Sequence, residues 1–121
     1  MVNMYPDYGG VYPEEMPSGE IKFYEACASL KDDFHVFHSV GWISRTDGGA
    51  RDGEADFLIC HPNQGFLVVE VKGGRIGANY KNGEWSSIDR NGQAHKIKDP
   101  FRQSLTAKFN VLAKLKEHRD W

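Results

Sequence analysis

Two short apolar runs in the middle of the chain carry the strongest structural pattern. Residues 54–60 and 66–72 are rich in β-branched and aromatic side chains, and the stretch 61–65, His-Pro-Asn-Gln-Gly, separates them. Strand-forming residues on both sides of a short loop that contains Pro and Gly are typical of a β-hairpin. Because both runs are apolar on both faces, we expect other elements to cover the hairpin from two sides.

The pattern before the hairpin predicts an arm, a helix, a strand and a loop. Residues 1–17 hold three of the five prolines and predict an irregular arm. Apolar positions at helical spacing predict a helix over 19–31, with Ser18 as its N-cap. Alternating apolar positions predict a strand over 34–43. The polar, glycine-containing stretch 44–53 predicts a loop.

The pattern after the hairpin predicts a small antiparallel extension and a final helix. Asn82-Gly83 and Asn91-Gly92 are strong signals for two-residue hairpin turns. Asp99 and Pro100 are typical of an N-cap and a first helical residue, and they predict a helix from about 100 to 117. The side chains expected on its core-facing stripe are Phe101, Leu105, Phe109 or Lys108, Leu112 and Leu115.

The order of these elements predicts one mixed α/β domain. A helix, a strand, a hairpin, an antiparallel extension and a second helix follow one another, so helices are available to cover a central sheet. The length of 121 residues suits a single domain, which we place at 18–121, after the arm 1–17. A sheet of this class would normally receive another strand after the final helix. We therefore expect a domain from a longer protein, or a sheet that a partner completes.

Composition excludes several classes of protein. With 40% hydrophobic and 26% charged residues, the chain is an ordinary globular one. No apolar run approaches the ~20 residues that a membrane helix requires, and the N-terminus lacks the basic and apolar regions of a secretory signal. Cys27 and Cys60 cannot form a disulfide framework. We expect a reduced, cytoplasmic protein that does not bind membranes.

Charge is distributed unevenly along the chain. Residues 1–71 contain 4 Lys or Arg against 12 Asp or Glu, whereas residues 72–121 contain 11 against 5. A basic half of this kind indicates either an anionic ligand or a solvated helix face. Its candidates for phosphate contacts are Arg75, Lys81, Arg90, Lys96, Lys98, Arg102 and Lys108.

Charged side chains interrupt the apolar hairpin. With Asn63 at the centre of the loop, Asp56 lies opposite Glu70, and period-two alternation places Lys72 on the same face. Opposed carboxylates, with Cβ atoms about 4.5–5.5 Å apart, repel each other, so they require a compensating cation in apolar surroundings. One explanation is an ion-pair cluster with Lys72 that sets the register. The other is a divalent metal, since hard cations prefer carboxylate and carbonyl oxygens. Glu54 is expected to be a salt-bridge partner of Lys72.

The metal interpretation makes this cluster a workable site for phosphodiester hydrolysis. Mg²⁺ held by one or two carboxylates keeps positions open for water and a phosphate oxygen. The metal lowers the pKa of a bound water and neutralises charge that develops on phosphorus. The Lys72 ammonium is a compact charge that can orient this water or stabilise the transition state.

The hairpin resembles the Asp…(Asp/Glu)-x-Lys core of the restriction-endonuclease-like nuclease superfamily, whose fold is a mixed central sheet flanked by helices. From residue 18 to about 115 the chain resembles the nuclease-related domain, NERD. The matching segments are Ser18-Gly19-Glu20, Gly53-Glu54-Ala55-Asp56-Phe57, Val69-Glu70-Val71-Lys72-Gly73-Gly74, Trp85, Asp99-Pro100-Phe101 and Gln103. Some relatives carry a tyrosine shortly after that glutamine, where this chain has Ser104-Leu105-Thr106-Ala107.

The resemblance implies a divalent-metal nuclease with named site residues. Asp56, Glu70 and the Val71 carbonyl would bind Mg²⁺ or Mn²⁺, and Lys72 would be catalytic. Glu20 would add a metal or water contact, although the helix dipole alone also explains an acidic residue in a first helical turn.

The resemblance also concerns Gln103 and the partners of the chain. A glutamine at this position would hold the site together or touch DNA, with helix capping as the alternative. Nucleic acid, in particular DNA, is the implied substrate, and the implied context is a fusion to helicase or other DNA-processing modules. A second copy of the chain, in a homodimer, is a further candidate partner. The basic residues expected to bind nucleic acid are Arg75, Lys96, Lys98, Arg102 and Lys108. Two rival interpretations are a catalytically inactive DNA-binding or targeting module of the same fold, and a structural interaction domain.

Overall fold

Two helices and seven strands occur in the part of the chain that the computed structural model describes, which is residues 2–46, 49–73, 75–79 and 81–117. The elements are β1 (Asn3–Tyr5), α1 (Ser18–Cys27), β2 (His35–Thr46), β3 (Gly49–His61), β4 (Gly65–Val69), β5 (Arg75–Asn79), β6 (Glu84–Ile88), β7 (Ala94–Ile97) and α2 (Pro100–Lys116). Neither helix is long and apolar enough to cross a membrane.

The strands form two sheets. The larger sheet has the order β1-β2-β3-β4, with β1 parallel to β2 and the other neighbours antiparallel. The strands β5, β6 and β7 form a separate antiparallel sheet. The predicted mixed α/β class with a small antiparallel extension is therefore confirmed.

The register of the central hairpin is the predicted one. Leu58 pairs with Val68, and Cys60 pairs with Phe66. However, β4 ends at Val69 rather than at residue 72. The ladder stops because the backbone N–H of Val71 donates to the side chain of Asp56, at 2.9 Å, and not to the backbone of β3.

The hairpin that joins β2 to β3 replaces most of the loop predicted over 44–53. The pairing between these strands continues to Thr46 and Gly49, and the sequence between them, Asp47-Gly48, is a dipeptide preferred in two-residue hairpin loops. This turn signal was present in the sequence, but the residues around it are polar and lack the apolar alternation that predicts strands. Residues 47 and 48 themselves lie outside the described ranges.

The N-terminal segment adds a strand where an irregular arm was expected. Asn3–Tyr5 forms β1, which pairs in parallel with residues 35–37 of β2. The segment also supplies Met16 to the core, where the side chain is buried. Tertiary pairing with β2 thus orders residues that carry no strand pattern of their own.

Helix α1 is shorter than predicted and begins differently. Pro17 is the N-cap residue and Ser18 is already helical, so the predicted Ser18 cap is wrong. The helix ends at Cys27 instead of residue 31. The backbone N–H groups of residues 28–30 each donate to the carbonyl three residues earlier, which tightens the last turn and ends the α-helix.

The hydrophobic core lies where α1, the N-terminal segment, β2 and β3 meet. Val36 of β2 and Phe57 of β3 are completely buried. The other members of this cluster are Met16, Tyr24 and Cys27. Phe57 follows Asp56 directly, so the core holds the strand position next to the candidate site.

Helix α2 confirms the predicted bounds and cap but not the predicted core stripe. Asp99 is the N-cap and its side chain accepts hydrogen bonds from the first helical turn. Of the predicted stripe, Phe101, Leu105 and Phe109 are exposed, at 74%, 52% and 56%, whereas Leu112 and Leu115 are half-buried. Ala107 and Val111 are buried instead, because these smaller side chains let the helix approach β3 and β4 closely.

The two Asn-Gly turns of the extension are present, but their loops are longer than two residues. The strand pairs nearest to them are Asn79 with Glu84 and Ile88 with Ala94. Gly83 and Gly92 have φ of 70° and 78°, a left-handed conformation that glycine adopts without a steric cost. Each glycine therefore lies at the end of its loop rather than at the centre of a tight turn.

Candidate active site

The candidate site is built where β4 ends beside β3. The bond from the Val71 N–H to Asp56 Oδ2 holds the chain that leaves β4 against β3. The last pair of the ladder is Phe57 with Val69, so Glu70 is the first residue beyond the ladder. Its carboxyl group is nevertheless close enough to Asp56 for the charge of Asp56 to act on it.

Glu70 is in an environment that disfavours its charged form. Its Oε1 atom is buried and has no hydrogen-bond partner. Burial, followed by the negative charge of Asp56, raises the pKa of Glu70 to about 7, while the ammonium of Lys72 acts in the opposite direction. These three side chains therefore interact electrostatically, as a shared site requires.

Four of the predicted site residues line one cavity of about 310 Å³. They are Glu20, Asp56, Val71 and Lys72. The N-terminus of α1, the segment 71–73 and the sheet of β5, β6 and β7 close the cavity around them. Glu70 is not among the residues that line this cavity.

The first turn of α1 reaches the cavity because Gly19 has no side chain. A Cβ atom at this position would lie 3.3 Å from Val71 Cγ1 and 3.8 Å from the Gly73 Cα. The helix terminus therefore packs directly on the end of the hairpin. Glu20, the next residue, is brought to the cavity wall, where its Oε1 forms a bond of 2.8 Å with His38 Nε2.

The predicted salt bridge between Glu54 and Lys72 is not formed. Glu54 accepts a hydrogen bond from the hydroxyl of Ser39, at 3.3 Å, and the charge of Lys72 acts on Glu70 instead. The reason is that β4 ends at Val69, so the cross-strand pairing that would have placed residue 72 opposite residue 54 is not maintained.

The backbone of β2 is distorted directly opposite Asp56. His38 pairs with Phe57 and Val40 with Ala55, but Ser39, which lies between them, has a φ of 57°. A residue with a side chain rarely adopts this left-handed conformation. Such strain is concentrated at functional sites, where the surrounding structure holds it in place.

The carboxylates do not form a metal cluster of three side chains. Among the described residues, no three His, Cys, Asp or Glu side chains are arranged to hold a metal ion, and Glu20 directs one oxygen to His38. The side chains of Asp56 and Glu70, with the carbonyl of Val71, are the remaining set of oxygen donors. Two carboxylates are sufficient for Mg²⁺, which usually keeps several water ligands.

Gln103 lies on α2 and does not line the cavity. Its side chain does not cap the helix, since Asp99 has that function. Gln103 Oε1 is buried without a hydrogen-bond partner, as is Glu70 Oε1. Buried oxygens of this kind are rare in proteins and indicate a partner from outside the chain or a functional role.

The basic residues expected to bind nucleic acid lie on different surfaces. Arg75 lines a cleft next to the cavity. Lys96 lines a concave face of the small sheet and pairs with Glu84 at 3.7 Å, whereas Lys108 lies in a groove between α2 and β4. Lys98 and Arg102 are exposed. Of this set, Arg75 lines the cleft that shares Gly73 and Ser87 with the cavity of Asp56 and Lys72.

His38 and Tyr8 contact the site, and sequence reasoning did not assign them a function. His38 shares a strand face with apolar residues, and a polar side chain on such a face needs a partner. A histidine on an apolar strand face was therefore the sequence feature that could have indicated a function for His38. Tyr8 had none, because the segment that contains it showed no regular pattern.

Comparison with family models tests the resemblance directly. The model of the nuclease-related domain, NERD, matches residues 18–120. Searches of curated proteins and of solved structures returned no match. The family match covers α1, both strands of the central hairpin, the small sheet and α2, and with them every residue of the cavity except Pro17. The chain therefore belongs to the nuclease-related domain family.

Proposed function

We propose that this domain is a divalent-metal-dependent nuclease that hydrolyses phosphodiester bonds of nucleic acid, with DNA as the substrate. The observation that supports the proposal is the cavity lined by Asp56 and Lys72, next to which Glu70 has a pKa raised to about 7 by burial and by the charge of Asp56. Membership of a nuclease-related family supports the same class of reaction.

The oxygen donors of the site fit a hard divalent cation. Glu70 Oε1 is buried without a partner, and burial raises the pKa of this carboxyl group. A divalent cation would stabilise the charged form of Glu70 and offset its repulsion with Asp56. We assign Asp56, Glu70 and the Val71 carbonyl as the residues that hold Mg²⁺ or Mn²⁺. When bound, such a cation lowers the pKa of a coordinated water and offsets charge on the phosphoryl group.

The other residues of the cavity act on the substrate and on water. Lys72 places an ammonium on the cavity wall, where it stabilises the additional negative charge of the phosphoryl group in the transition state. Glu20 lies on the same wall and supplies an oxygen for a water contact. Asp56 also positions Val71, because its side chain accepts a hydrogen bond from the Val71 backbone N–H.

A neighbouring cleft offers a path for the nucleic acid backbone. This cleft of about 650 Å³ shares Gly73 and Ser87 with the cavity and contains Arg75 and Arg90. Both arginines are exposed, and guanidinium groups bind phosphate oxygens in a planar, bidentate manner. We propose that the phosphate next to the cleaved bond lies in this cleft.

Cleavage of labelled single-stranded DNA, duplex DNA and RNA with Mg²⁺, Mn²⁺ or EDTA tests the proposal. We expect metal-dependent cleavage that falls about 100-fold or more in Asp56→Asn and in Lys72→Met. Asp33→Asn and Lys31→Met are matched controls, since both residues are exposed and lie outside the cavity. Cleavage that persists in Asp56→Asn combined with Lys72→Met would refute the assigned roles.

Binding measurements distinguish the rival functions. A catalytically inactive DNA-binding module would bind Mn²⁺ and DNA without cleavage, and a structural interaction domain would bind neither. In the proposed nuclease, Arg75→Gln and Arg90→Gln each reduce the slope of log affinity against log salt by about 0.9 for a duplex. An unchanged slope in both variants would place the DNA elsewhere on the domain.

A further inference from the structure

A buried histidine connects the N-terminal segment to the wall of the cavity. His38 Nδ1 lies 2.6 Å from the hydroxyl oxygen of Tyr8, and His38 Nε2 lies 2.8 Å from Glu20 Oε1. The side chains of His38 and Glu20 are only 7% and 15% exposed. Three residues that are distant in sequence thus form a continuous chain of hydrogen bonds that ends at the cavity.

One tautomer of the neutral imidazole satisfies both bonds. The Tyr8 hydroxyl donates to Nδ1, and the Nε2–H donates to the carboxylate of Glu20. Burial, with the nearby Tyr24 and Glu20, raises the pKa of Tyr8, so its hydroxyl keeps its proton. The Glu20 carboxylate can only accept, so it requires the hydrogen on Nε2, and Tyr8 holds the other nitrogen of the ring through the bond to Nδ1.

Aromatic packing fixes the orientation of the imidazole ring. The ring of Phe57 lies 4.8 Å from that of His38, and the ring of Tyr8 meets it edge-on at 5.7 Å. Tyr8 is itself held by Tyr24, whose hydroxyl accepts a bond from the Tyr8 backbone N–H at 3.3 Å. Contacts on several sides therefore restrict the position of Nε2 relative to Glu20.

We propose that His38, oriented by Tyr8, is a positioning residue that fixes the Glu20 carboxylate on the wall of the cavity that contains Asp56 and Lys72. The inference rests on the proposed nuclease function and adds two residues to its site. The bond with His38 occupies Oε1 of Glu20, so Oε2 is the oxygen with which Glu20 contacts water. Hydrogen bonds that orient a site carboxylate typically change activity by about 10- to 100-fold when they are removed.

The chain contains a matched pair of residues that serves as a control. The hydroxyl of Tyr5 lies 3.1 Å from His35 Nδ1, which is the same type of tyrosine–histidine contact between the N-terminal segment and β2. Tyr5 is exposed, at 42%. No ion pair joins His35 to a carboxylate within the described ranges, and neither residue lines the cavity.

Kinetics of Tyr8→Phe against Tyr5→Phe test the proposal. We expect Tyr8→Phe to lower kcat about 10-fold at unchanged KM, with a small loss of thermal stability because the buried Nδ1 loses its partner, and Tyr5→Phe to have no effect. His38→Ala should lower kcat further, and His38→Gln should recover part of the loss, because its amide N–H can still donate to Glu20. Full kcat in Tyr8→Phe, or equal losses in Tyr8→Phe and Tyr5→Phe, overturns the proposal.

A spectroscopic measurement separates this proposal from the proposed function. Long-range ¹H–¹⁵N spectra report which imidazole nitrogen carries the hydrogen, whether or not the domain cleaves DNA. We expect the Nε2–H form for His38, a changed Nδ1 chemical shift in Tyr8→Phe because Nδ1 loses its hydrogen-bond donor, and no change at His38 in Tyr5→Phe. If wild-type protein cleaves no nucleic acid, the nuclease function fails and the spectrum alone decides the inference. A His38 signal that is identical in wild type and Tyr8→Phe overturns it.

Discussion

The raised pKa of Glu70 predicts that metal-free protein loses stability as the pH rises. Folding raises this pKa from its ordinary value of 4.5 to about 7, so between these values the folded state holds a proton that the unfolded state releases. The resulting stabilisation is complete at a pH below the pKa of Glu70 in the unfolded chain. It is lost as the pH rises through the pKa of Glu70 in the folded protein. At 1.36 kcal/mol per pKa unit its upper limit is about 3 kcal/mol, and solvent screening of a partly exposed side chain reduces the expected value to about 2 kcal/mol.

The substitution Glu70→Gln isolates this effect, because the amide resembles the protonated carboxyl group and does not titrate. We expect wild type and variant to have similar free energies of unfolding near about pH 4.5, and the variant to be about 2 kcal/mol more stable near about pH 8. Urea unfolding in EDTA measures this difference, in which the titration of groups that do not interact with Glu70 cancels. Glu84→Gln, at an exposed carboxylate, is the control and should show no such trend.

Adding Mn²⁺ extends the same experiment to the proposed cation site. A ligand that binds only the folded state at 100 times its Kd adds about 2.7 kcal/mol of stability, so Mn²⁺ should stabilise the wild type at about pH 8 more than Glu70→Gln. A stability difference between wild type and variant that is constant with pH would refute the argument from burial. An equal response of both proteins to Mn²⁺ would refute the assignment of Glu70 as a ligand.

Three further substitutions test individual features of the fold and site. Gly53→Ala should lower the free energy of unfolding in urea by about 1–3 kcal/mol, because its Cβ would lie 2.1 Å from Trp42 Nε1. Gly41→Ala is the control, since the nearest atom to its Cβ would be 3.9 Å away. Equal losses of stability in the two variants would contradict the reasoning. Ser39→Gly should be more stable than Ser39→Ala by about 1 kcal/mol, since φ is 57°; equal stabilities would show that the conformation is not strained. Gln103→Met should raise the free energy of unfolding by about 1 kcal/mol, because it removes a buried oxygen without a hydrogen-bond partner. The same variant should cleave nucleic acid more slowly. A variant less stable than wild type would show that the Gln103 oxygen has a hydrogen-bond partner.

The register of the central hairpin illustrates what a local pattern can predict. The loop around Asn63 and the apolar runs beside it determine which residues face each other, and a shift by one residue would turn every side chain to the other face. The pairs Leu58–Val68 and Cys60–Phe66 have the predicted register. The same rule predicts that Asp56 lies opposite Glu70, although the ladder ends one residue before Glu70.

Helix α2 shows why the largest apolar side chains are a poor guide to the core. Phe101, Leu105 and Phe109 have helical spacing and were expected to face the sheet, but they are exposed. The helix packs through Ala107 and Val111, because the distance between the helix and the sheet depends on the shapes of both surfaces. Periodicity alone identifies the stripes of a helix, but it does not determine which stripe another element covers.

The sequence by itself determined the α/β class, the hairpin with its carboxylates, the cap of α2 and the family, because these depend on neighbouring residues and their order. Only the tertiary structure decided that the hairpin ends early on the Asp56–Val71 bond, that α1 packs on this end through Gly19, and that Glu20 meets His38. These features depend on contacts between segments that are distant in the sequence. Their partners are selected by the packing of the whole core, which no local pattern encodes.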